Sequence, residues 1–252
     1  MIKVSLVVPQ KGEDIKELER FLQQDEADIY VFPEGFLETE HLPEALKVIE
    51  EAGKYVITGL KDNRMGASCQ AALVIDKGVI TGEYKKNILT KSEREKGRIP
   101  GESIHCIETK YGKIGIPICY EIHFPEVARI MALESPFMLL NLIGTGMYHE
   151  LQYDQWTALA KARAIENEIY VLGCSHYAGE IPLAFAFSPR GERIIEKKKE
   201  YGSVSFLLDT GESYKREHSY LLDRLPERFT KLSSRDCFQE NSYEFIMNKN
   251  PV

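Results

Sequence analysis

The 252-residue chain has few cysteines, and their arrangement excludes two kinds of stabilised scaffold. Their number is odd, their spacings are wide and no C-x-x-C pair occurs, so neither a disulfide framework nor a zinc site is expected. We expect free thiols in a reducing compartment, which leaves five candidates for a reactive cysteine. These are Cys69, Cys106, Cys119, Cys174 and Cys237.

Long apolar runs are also lacking. No run approaches the roughly 20 residues that are needed to cross a bilayer. The first ten residues, MIKVSLVVPQ, contain an apolar run that is too short for a secretory signal, and acidic residues follow it closely. These features predict a soluble, cytoplasmic protein.

An excess of basic charge is absent as well. The chain has 32 Lys and Arg against 39 Asp and Glu, which gives a net charge of −7. This balance argues against nucleic acid or an anionic membrane as the main partner. The longest basic run, 197–199, is flanked by glutamates and is interpreted as a solvated turn. The first predicted strand is not followed by G-x-G-x-x-G, which disfavours a dinucleotide-binding fold.

What is present is an ordinary globular composition, with 43% apolar and 28% charged residues. Apolar strands alternate with amphipathic helices, and hairpins are interspersed, which favours a layered α/β fold with a mixed sheet. We predict one domain over 1–252, with a tail at about 225–252 that contacts a partner subunit. Strands are predicted at 2–8, 29–32, 55–60, 69–76, 78–84, 103–108, 113–118, 137–142, 169–174, 183–187 and 203–208. Helices are predicted from about 14 and over 43–52, 125–133 and 150–167, with a loop at 91–101 (KSEREKGRIPG).

Three polar positions stand at the ends of predicted strands, where side chains can enter a cleft from a rigid base. Glu34 follows a buried strand and Pro33 in YVFPEGF. Lys86 closes the strand in GEYKKNIL, where it and Lys85 must face opposite sides. Cys119 stands between an apolar run and the helix that Pro125 begins, in the kind of strand-to-helix turn that often carries a nucleophile.

Each residue alone has an ordinary explanation: a surface turn acid, a surface lysine and a buried, inert thiol. Together they form a chemically sensible set, because a thiol needs a base or a nearby cation to react at neutral pH. Glu34 can take the proton, and Lys86 can stabilise an oxyanion. Because the usual partner of a reactive thiol is histidine, a Cys-His hydrolase stays open on residue chemistry alone.

Five motifs occur in order between residues 33 and 192. They are P-E-G-F at 33–36, Y-K-K-x-x-L at 84–89, C-Y-E-x-x-F-P-E at 119–126, Q-W-x-x-L-x-x-A-R-A-I-E-N at 155–167 and S-P-x-G-E at 188–192. In these motifs the sequence resembles the nitrilase superfamily of carbon–nitrogen hydrolases. It departs from the family at Ile88, where histidine is frequent, and at His123, where arginine is frequent.

The resemblance implies a four-layer α-β-β-α sandwich and a catalytic Glu-Lys-Cys triad, carried here by Glu34, Lys86 and Cys119. Many members use a further glutamate in the loop after the lysine. Glu93 or Glu95 could match it, and the spacing to the following Pro-Gly favours Glu95. The resemblance also implies a homodimer or higher homo-oligomer that pairs through the helices at about 125–133 and 150–167.

The expected reaction is hydrolysis of a non-peptide C–N bond in a small amide through a cysteine thioester. It needs no metal or organic cofactor. We expect Tyr120, Glu121 and His123, which follow the nucleophile, to contact the substrate. The alternatives are a nitrilase, an enzyme that transfers the acyl group to an amine, and a non-catalytic binding protein with the same fold.

Overall fold

The computed structural model describes residues 1–24, 26–64, 66, 68–210 and 219–233. The chain divides into two compact units, Met1–Lys215 and Arg216–Val252. The described part of the second unit contains two short 3-10 turns, Pro226–Arg228 and Thr230–Ser233. Most of the predicted tail, 234–252, lies outside the described residues, so its contact with a partner and the single-domain assignment stay predictions.

Helices in the first unit begin and end where the sequence supplies the usual signals. Pro43 stands in the first turn of one helix, which ends at the left-handed Gly53, and Pro125 opens another. No helix in the described ranges is both long and apolar enough to cross a membrane. The helices are α1 (Asp14–Gln24), α2 (Leu42–Ala52), α3 (Lys91–Glu95), α4 (Pro125–Ala132) and α5 (Glu150–Asn167).

In chain order the strands are β1 (Ile2–Val8), β2 (Ile29–Val31), β3 (Leu37–Glu38), β4 (Tyr55–Asp62), β5 (Cys69–Asp76), β6 (Val79–Lys85), β7 (Ile107–Thr109), β8 (Gly112–Gly115), β9 (Met138–Ile143), β10 (Tyr170–Ser175), β11 (Leu183–Phe187), β12 (Arg193–Lys198) and β13 (Gly202–Leu208). The inner strands are buried along almost their whole length, as expected for sheets that are covered on both faces, whereas the edge strands β6, β12 and β13 are largely half-buried or exposed.

These strands form two mixed sheets. The first has the order β13-β1-β2-β4-β5-β6, with β3 beside β4, and the second has the order β12-β11-β10-β9-β8-β7. Parallel pairing joins β1, β2 and β4 in the first sheet and β8, β9 and β10 in the second. Within the second sheet, the carboxyl ends of β9 and β10 therefore lie side by side and present their following residues at one edge.

The sheets pack face to face and carry helices on their outer faces. Strand β1 contacts β10 and β11 across the interface between the sheets. Helices α1 and α2 bury Phe21 and Ile49 in a core with Tyr30, Val56 and Leu73 of the first sheet. Helix α4 packs on β8, and α5 packs on β10 and β11. This arrangement is the predicted four-layer α-β-β-α sandwich.

Three local predictions were wrong. Residues 193–198 form the edge strand β12, so the basic run is a turn only at Lys199, where φ is +60°. Charged residues are common on edge strands and hide the alternation that marks a strand. The predicted loop at 91–101 begins with α3, and the hairpin strands at 103–108 and 113–118 are shortened to β7 and β8.

Candidate active site

Glu34 lies in a tightly built turn just after β2. Its side chain is 7% exposed. Its carbonyl oxygen accepts a hydrogen bond from Nε2 of His176, at 3.1 Å, which reaches across from the end of β10. A Cβ atom on Gly144 would lie 2.5 Å from Glu34 Oε2, and one on Gly59 would lie 2.5 Å from Glu34 Cα. Both glycines are therefore needed for the chain to close around this carboxylate.

Lys86 and Lys85 face opposite sides of the strand end, as the alternation predicts. The Lys86 side chain is 1% exposed, and its Nζ lies 2.9 Å from Glu34 Oε1 and 2.9 Å from Glu93 Oε1. Lys85 is 40% exposed, pairs with Glu83 at 3.6 Å and lines a separate cavity of about 540 Å³. The buried ammonium is thus Lys86, held between two carboxylates.

Cys119 occupies a constrained position at the first residue of a 3-10 turn, Cys119–His123. Its φ of +48° is an unfavourable conformation for a residue with a side chain. Asn141, which is fully buried in β9, donates hydrogen bonds to the carbonyl oxygens of Pro117 and Cys119, at 2.8 and 3.2 Å. The Glu34 carboxylate, the Lys86 ammonium and the Gly144 N–H lie close enough to the thiol to shift its pKa. The predicted strand-to-helix turn is confirmed.

Burial and charge act in opposite directions at this site. Burial raises the pKa of the Cys119 thiol far above its usual value, and Glu34 raises it further, while Lys86 and the Gly144 N–H offset part of that rise. Burial would lower the pKa of Lys86, but Glu34, Cys119 and Glu93 together raise it well above its ordinary range. Lys86 is therefore a fixed positive charge, and the resting thiol is protonated next to a base.

The structure places Glu93, not the favoured Glu95, against Lys86. Glu93 accepts a hydrogen bond from the Thr90 N–H through Oε2, at 2.8 Å, and contacts Lys86 through Oε1. Although burial opposes ionisation, Lys86 lowers the pKa of Glu93 below its usual value. Glu95 points away, with its side chain 64% exposed beside Lys91. The signal that sequence reasoning missed is the T-x-x-E capping box at 90–93, which fixes Glu93 at the start of α3.

The predicted substrate contacts divide into three cases. Tyr120 lines the cavity beside Cys119. Glu121 is fully buried and accepts hydrogen bonds from the backbone N–H groups of Ile118, Asn87 and Ile88, at 2.8 to 3.1 Å, so it holds the turn and does not face the cavity. His123 packs edge-on against Trp156, with ring centroids 4.6 Å apart, and its Nδ1–H donates to the Tyr120 carbonyl oxygen.

A cavity of about 200 Å³ opens directly onto Cys119. Two of its determinants were missed as site residues: Trp156, which forms one wall, and Asn141, whose Oδ1 accepts a hydrogen bond from the indole Nε1 at 2.9 Å. Because Asn141 also donates a hydrogen bond to the Cys119 carbonyl oxygen, its side-chain amide links Trp156 in the cavity wall to Cys119. Only a structure reveals this link, since the three residues are far apart in sequence. In the described residues, no group of three or more His, Cys, Asp or Glu side chains is placed to hold a metal ion.

Comparison with known proteins places this geometry in a family. The carbon–nitrogen hydrolase family model matches residues 15–210. An omega-amidase of Xenopus tropicalis is 26% identical over 243 residues, covering 81% of this chain and 86% of the relative. A probable nitrilase of Schizosaccharomyces pombe is 30% identical over 171 residues. That match spans 64% of this chain and 61% of the relative, so the chain covers less than two thirds of that relative's length.

Solved structures show the same fold at low sequence identity. A carbon-nitrogen hydrolase from Helicobacter pylori superposes with a TM-score of 0.81 at 20% identity, covering 93% of this chain and 99% of the other. An amidase from Nesterenkonia sp. gives a TM-score of 0.76 at 19% identity, with 90% and 94% coverage. With the family match over most of its length, this chain is a member of the carbon–nitrogen hydrolase family of the nitrilase superfamily, a family of hydrolases.

Proposed function

We propose that the protein is an amidase that cleaves the C–N bond of a small carboxamide through a thioester on Cys119. The observation that carries this proposal is the buried set in which Lys86 contacts both Glu34 and Glu93, with the Cys119 thiol near enough to Glu34 and Lys86 for both charges to shift its pKa. Relatives described as omega-amidases and a fold neighbour described as an amidase support the same reaction class.

The reaction begins when the Cys119 sulfur attacks the carbonyl carbon and Glu34 takes the thiol proton. The negative charge that develops on the substrate oxygen is stabilised by the Lys86 ammonium and the backbone N–H of Tyr120. The C–N bond breaks as Glu34 returns the proton to the leaving nitrogen, which departs as ammonia or an amine. An acyl thioester remains on the sulfur.

Hydrolysis of the thioester completes the cycle. Glu34 takes a proton from a water molecule, whose oxygen attacks the thioester carbonyl, and the C–S bond breaks. The thiolate recovers its proton from Glu34, and a carboxylic acid is released. Glu93 keeps Lys86 oriented through both steps and, by its position, replaces Glu95 as the further glutamate of the site.

Ammonia release from a small amide tests the proposal. Cys119→Ala removes the nucleophile, so we expect turnover to fall by at least about 10⁴-fold while the protein stays folded. Cys106→Ala is the matched control, because that thiol contacts the Met131 carbonyl away from the cavity and should not affect turnover. Activity retained in Cys119→Ala would contradict the proposal.

We also propose that the protein works as a homodimer with a small amide as its substrate, in a cytoplasmic setting. Ile130 on α4, Leu133 directly after it and Leu151 on α5 expose apolar side chains at 42%, 52% and 63%. Such side chains on adjoining helices favour burial against a second copy of the chain.

A further inference from the structure

The cavity at Cys119 has walls of a definite chemical character. Ile143, Met147 and Trp156 supply an apolar surface, and Met147 and Ile143 are each 1% exposed. The polar side chains in the lining, which include Thr90, Thr145 and Gln152, are neutral. At about 200 Å³ the cavity is smaller than the roughly 300–1,000 Å³ of pockets that hold drug-sized ligands, so it fits an acyl group of a few carbons.

Three polar atoms of this wall are already engaged within the protein. The Trp156 indole N–H donates to Asn141 Oδ1, so the ring offers only its apolar surface. Gln152 Oε1 accepts a hydrogen bond from the Tyr148 N–H at 2.8 Å. Thr90 Oγ1 accepts one from the Glu93 N–H at 3.2 Å. An acyl group that enters this cavity therefore meets mainly hydrocarbon surface.

Cations on the neighbouring elements are engaged in other interactions. Arg163 on α5 donates to the carbonyl oxygens of Ile122 and His123 and to the Glu166 carboxylate. Burial lowers the pKa of His123, so its imidazole is neutral at physiological pH. Lys86 is paired with Glu34 and Glu93, and Arg98 pairs with Glu93 at 3.5 Å.

We propose that this site selects small neutral amides with an apolar acyl group over amides whose acyl chain ends in a carboxylate. The inference rests on the proposed amidase function and names its substrate class. A carboxylate on the acyl chain would lose its hydration against Met147 and Trp156 without gaining a charged partner there, which is strongly unfavourable. An apolar acyl group of the same shape gains from burial on the same surface.

Two substrates of equal size test this selectivity. 4-Methylpentanamide and succinamate differ in that an isopropyl group in the first stands where the second has its carboxylate. We expect kcat/KM for ammonia release at neutral pH to be at least about 100-fold higher for 4-methylpentanamide. Equal rates or a preference for succinamate would overturn the inference and leave the amidase proposal standing. If neither amide releases ammonia, the amidase proposal fails and the selectivity falls with it.

A pair of variants tests whether the uncharged cavity wall causes this selectivity. Gln152 is half-exposed on the first turn of α5 and lines the cavity, so Gln152→Arg can place a guanidinium in the wall. We expect the ratio of kcat/KM for 4-methylpentanamide to kcat/KM for succinamate to fall about tenfold in this variant. Gln152→Met loses the same hydrogen bond to Tyr148 but stays neutral, so its preference should match that of the unaltered protein. An equal shift of the substrate preference in both variants would contradict the inference. So would an unchanged preference in Gln152→Arg, provided that iodoacetamide still labels Cys119 in that variant.

Discussion

At the scale of single residues, the surroundings of the Cys119 thiol favour its protonated form beside the Glu34 carboxylate. A thiol in water has a pKa of about 8.5, but burial and the Glu34 carboxylate raise that of Cys119 well above this value. In the proposed reaction, attack on a substrate is therefore coupled to proton transfer to Glu34, and the positive charge of Lys86 serves the oxyanion more than a resting thiolate.

This environment predicts an unusual pH dependence of thiol labelling. Since the pKa of Cys119 is raised, its alkylation by iodoacetamide should keep increasing above pH ~10, where a free thiol has reached its plateau. The rate can be followed by mass spectrometry of the Cys119 peptide, with glutathione as the reference thiol. If the alkylation rate of Cys119 levelled off at the same pH as that of glutathione or at a lower one, the effect of Lys86 on the thiol pKa would outweigh those of burial and Glu34.

The choice between two glutamates is a second test at this scale. Glu93→Gln removes one of the two carboxylates that contact Lys86, so we expect kcat to fall by about 10²-fold or more. Glu95→Gln changes an exposed side chain and should leave kcat within about twofold. Steady-state ammonia release by the two variants measures the difference. The opposite ranking would restore the assignment favoured by the sequence.

At the scale of elements, the turn that carries Cys119 is clamped by Glu121. The carboxylate accepts hydrogen bonds from three backbone N–H groups and from the Tyr84 hydroxyl, and it thereby ties the 3-10 turn to the end of β6. Burial raises the pKa of Glu121, and the four donors offset part of that rise. The position of the nucleophile thus depends on a residue that does not face the cavity.

Replacement of this clamp should affect stability and activity together. A glutamine at 121 keeps one acceptor oxygen and adds an amide donor that faces backbone N–H groups, so Glu121→Gln should lower the free energy of unfolding by about 2–4 kcal/mol. Tyr84→Phe removes the hydrogen bond that the hydroxyl donates to Glu121 and the one it accepts from Asn87 Nδ2, and should cost about 1–2 kcal/mol. Urea unfolding of both variants gives these values. Equal costs would mean that the backbone hydrogen bonds to Glu121 contribute little.

The sequence could predict most elements, but not the side chains that the fold brings together. Strand β9 and helix α5 were recognised by their apolar patterns, since burial requires such patterns. Strand β12 was missed because it is a charged edge strand. The association of Asn141, Trp156 and Cys119, and that of His176 with Glu34, joins different strands and helices, and no local spacing encodes it. Loop spacing favoured Glu95, whereas the capping box, which was not weighed, places Glu93 beside Lys86.

At the scale of the whole molecule, the active site is assembled by both sheets. Glu34 and Lys86 follow strands of the first sheet, while Gly144 and His176 follow β9 and β10 of the second and Cys119 follows Ile118, which bridges to β9. The motifs predicted this pairing of sheets only through the resemblance to a known family. A composition of 43% apolar residues allows a two-sheet core but does not specify it.

Subunit pairing is the prediction that belongs to this scale. If α4 and α5 pack against a second copy, sedimentation equilibrium should give twice the 28.8 kDa chain mass. Leu133→Glu places a charge on the exposed apolar surface and should yield monomers, whereas Val79→Glu alters a residue that is 64% exposed on an edge strand and should not. A monomeric unaltered protein would contradict the proposed pairing.

The central claim is that the reaction passes through an acyl thioester on Cys119. Rapid acid quenching of the protein during turnover of a small amide, followed by peptide mass spectrometry, tests it most directly. The account predicts a mass increase equal to the acyl group on the Cys119 peptide, and its absence from the peptides of Cys69, Cys106 and Cys174. Ammonia release with the acyl group on another residue would contradict the account. It would also be contradicted if Glu34→Gln lost ammonia release while the unaltered protein accumulated no acyl group on Cys119.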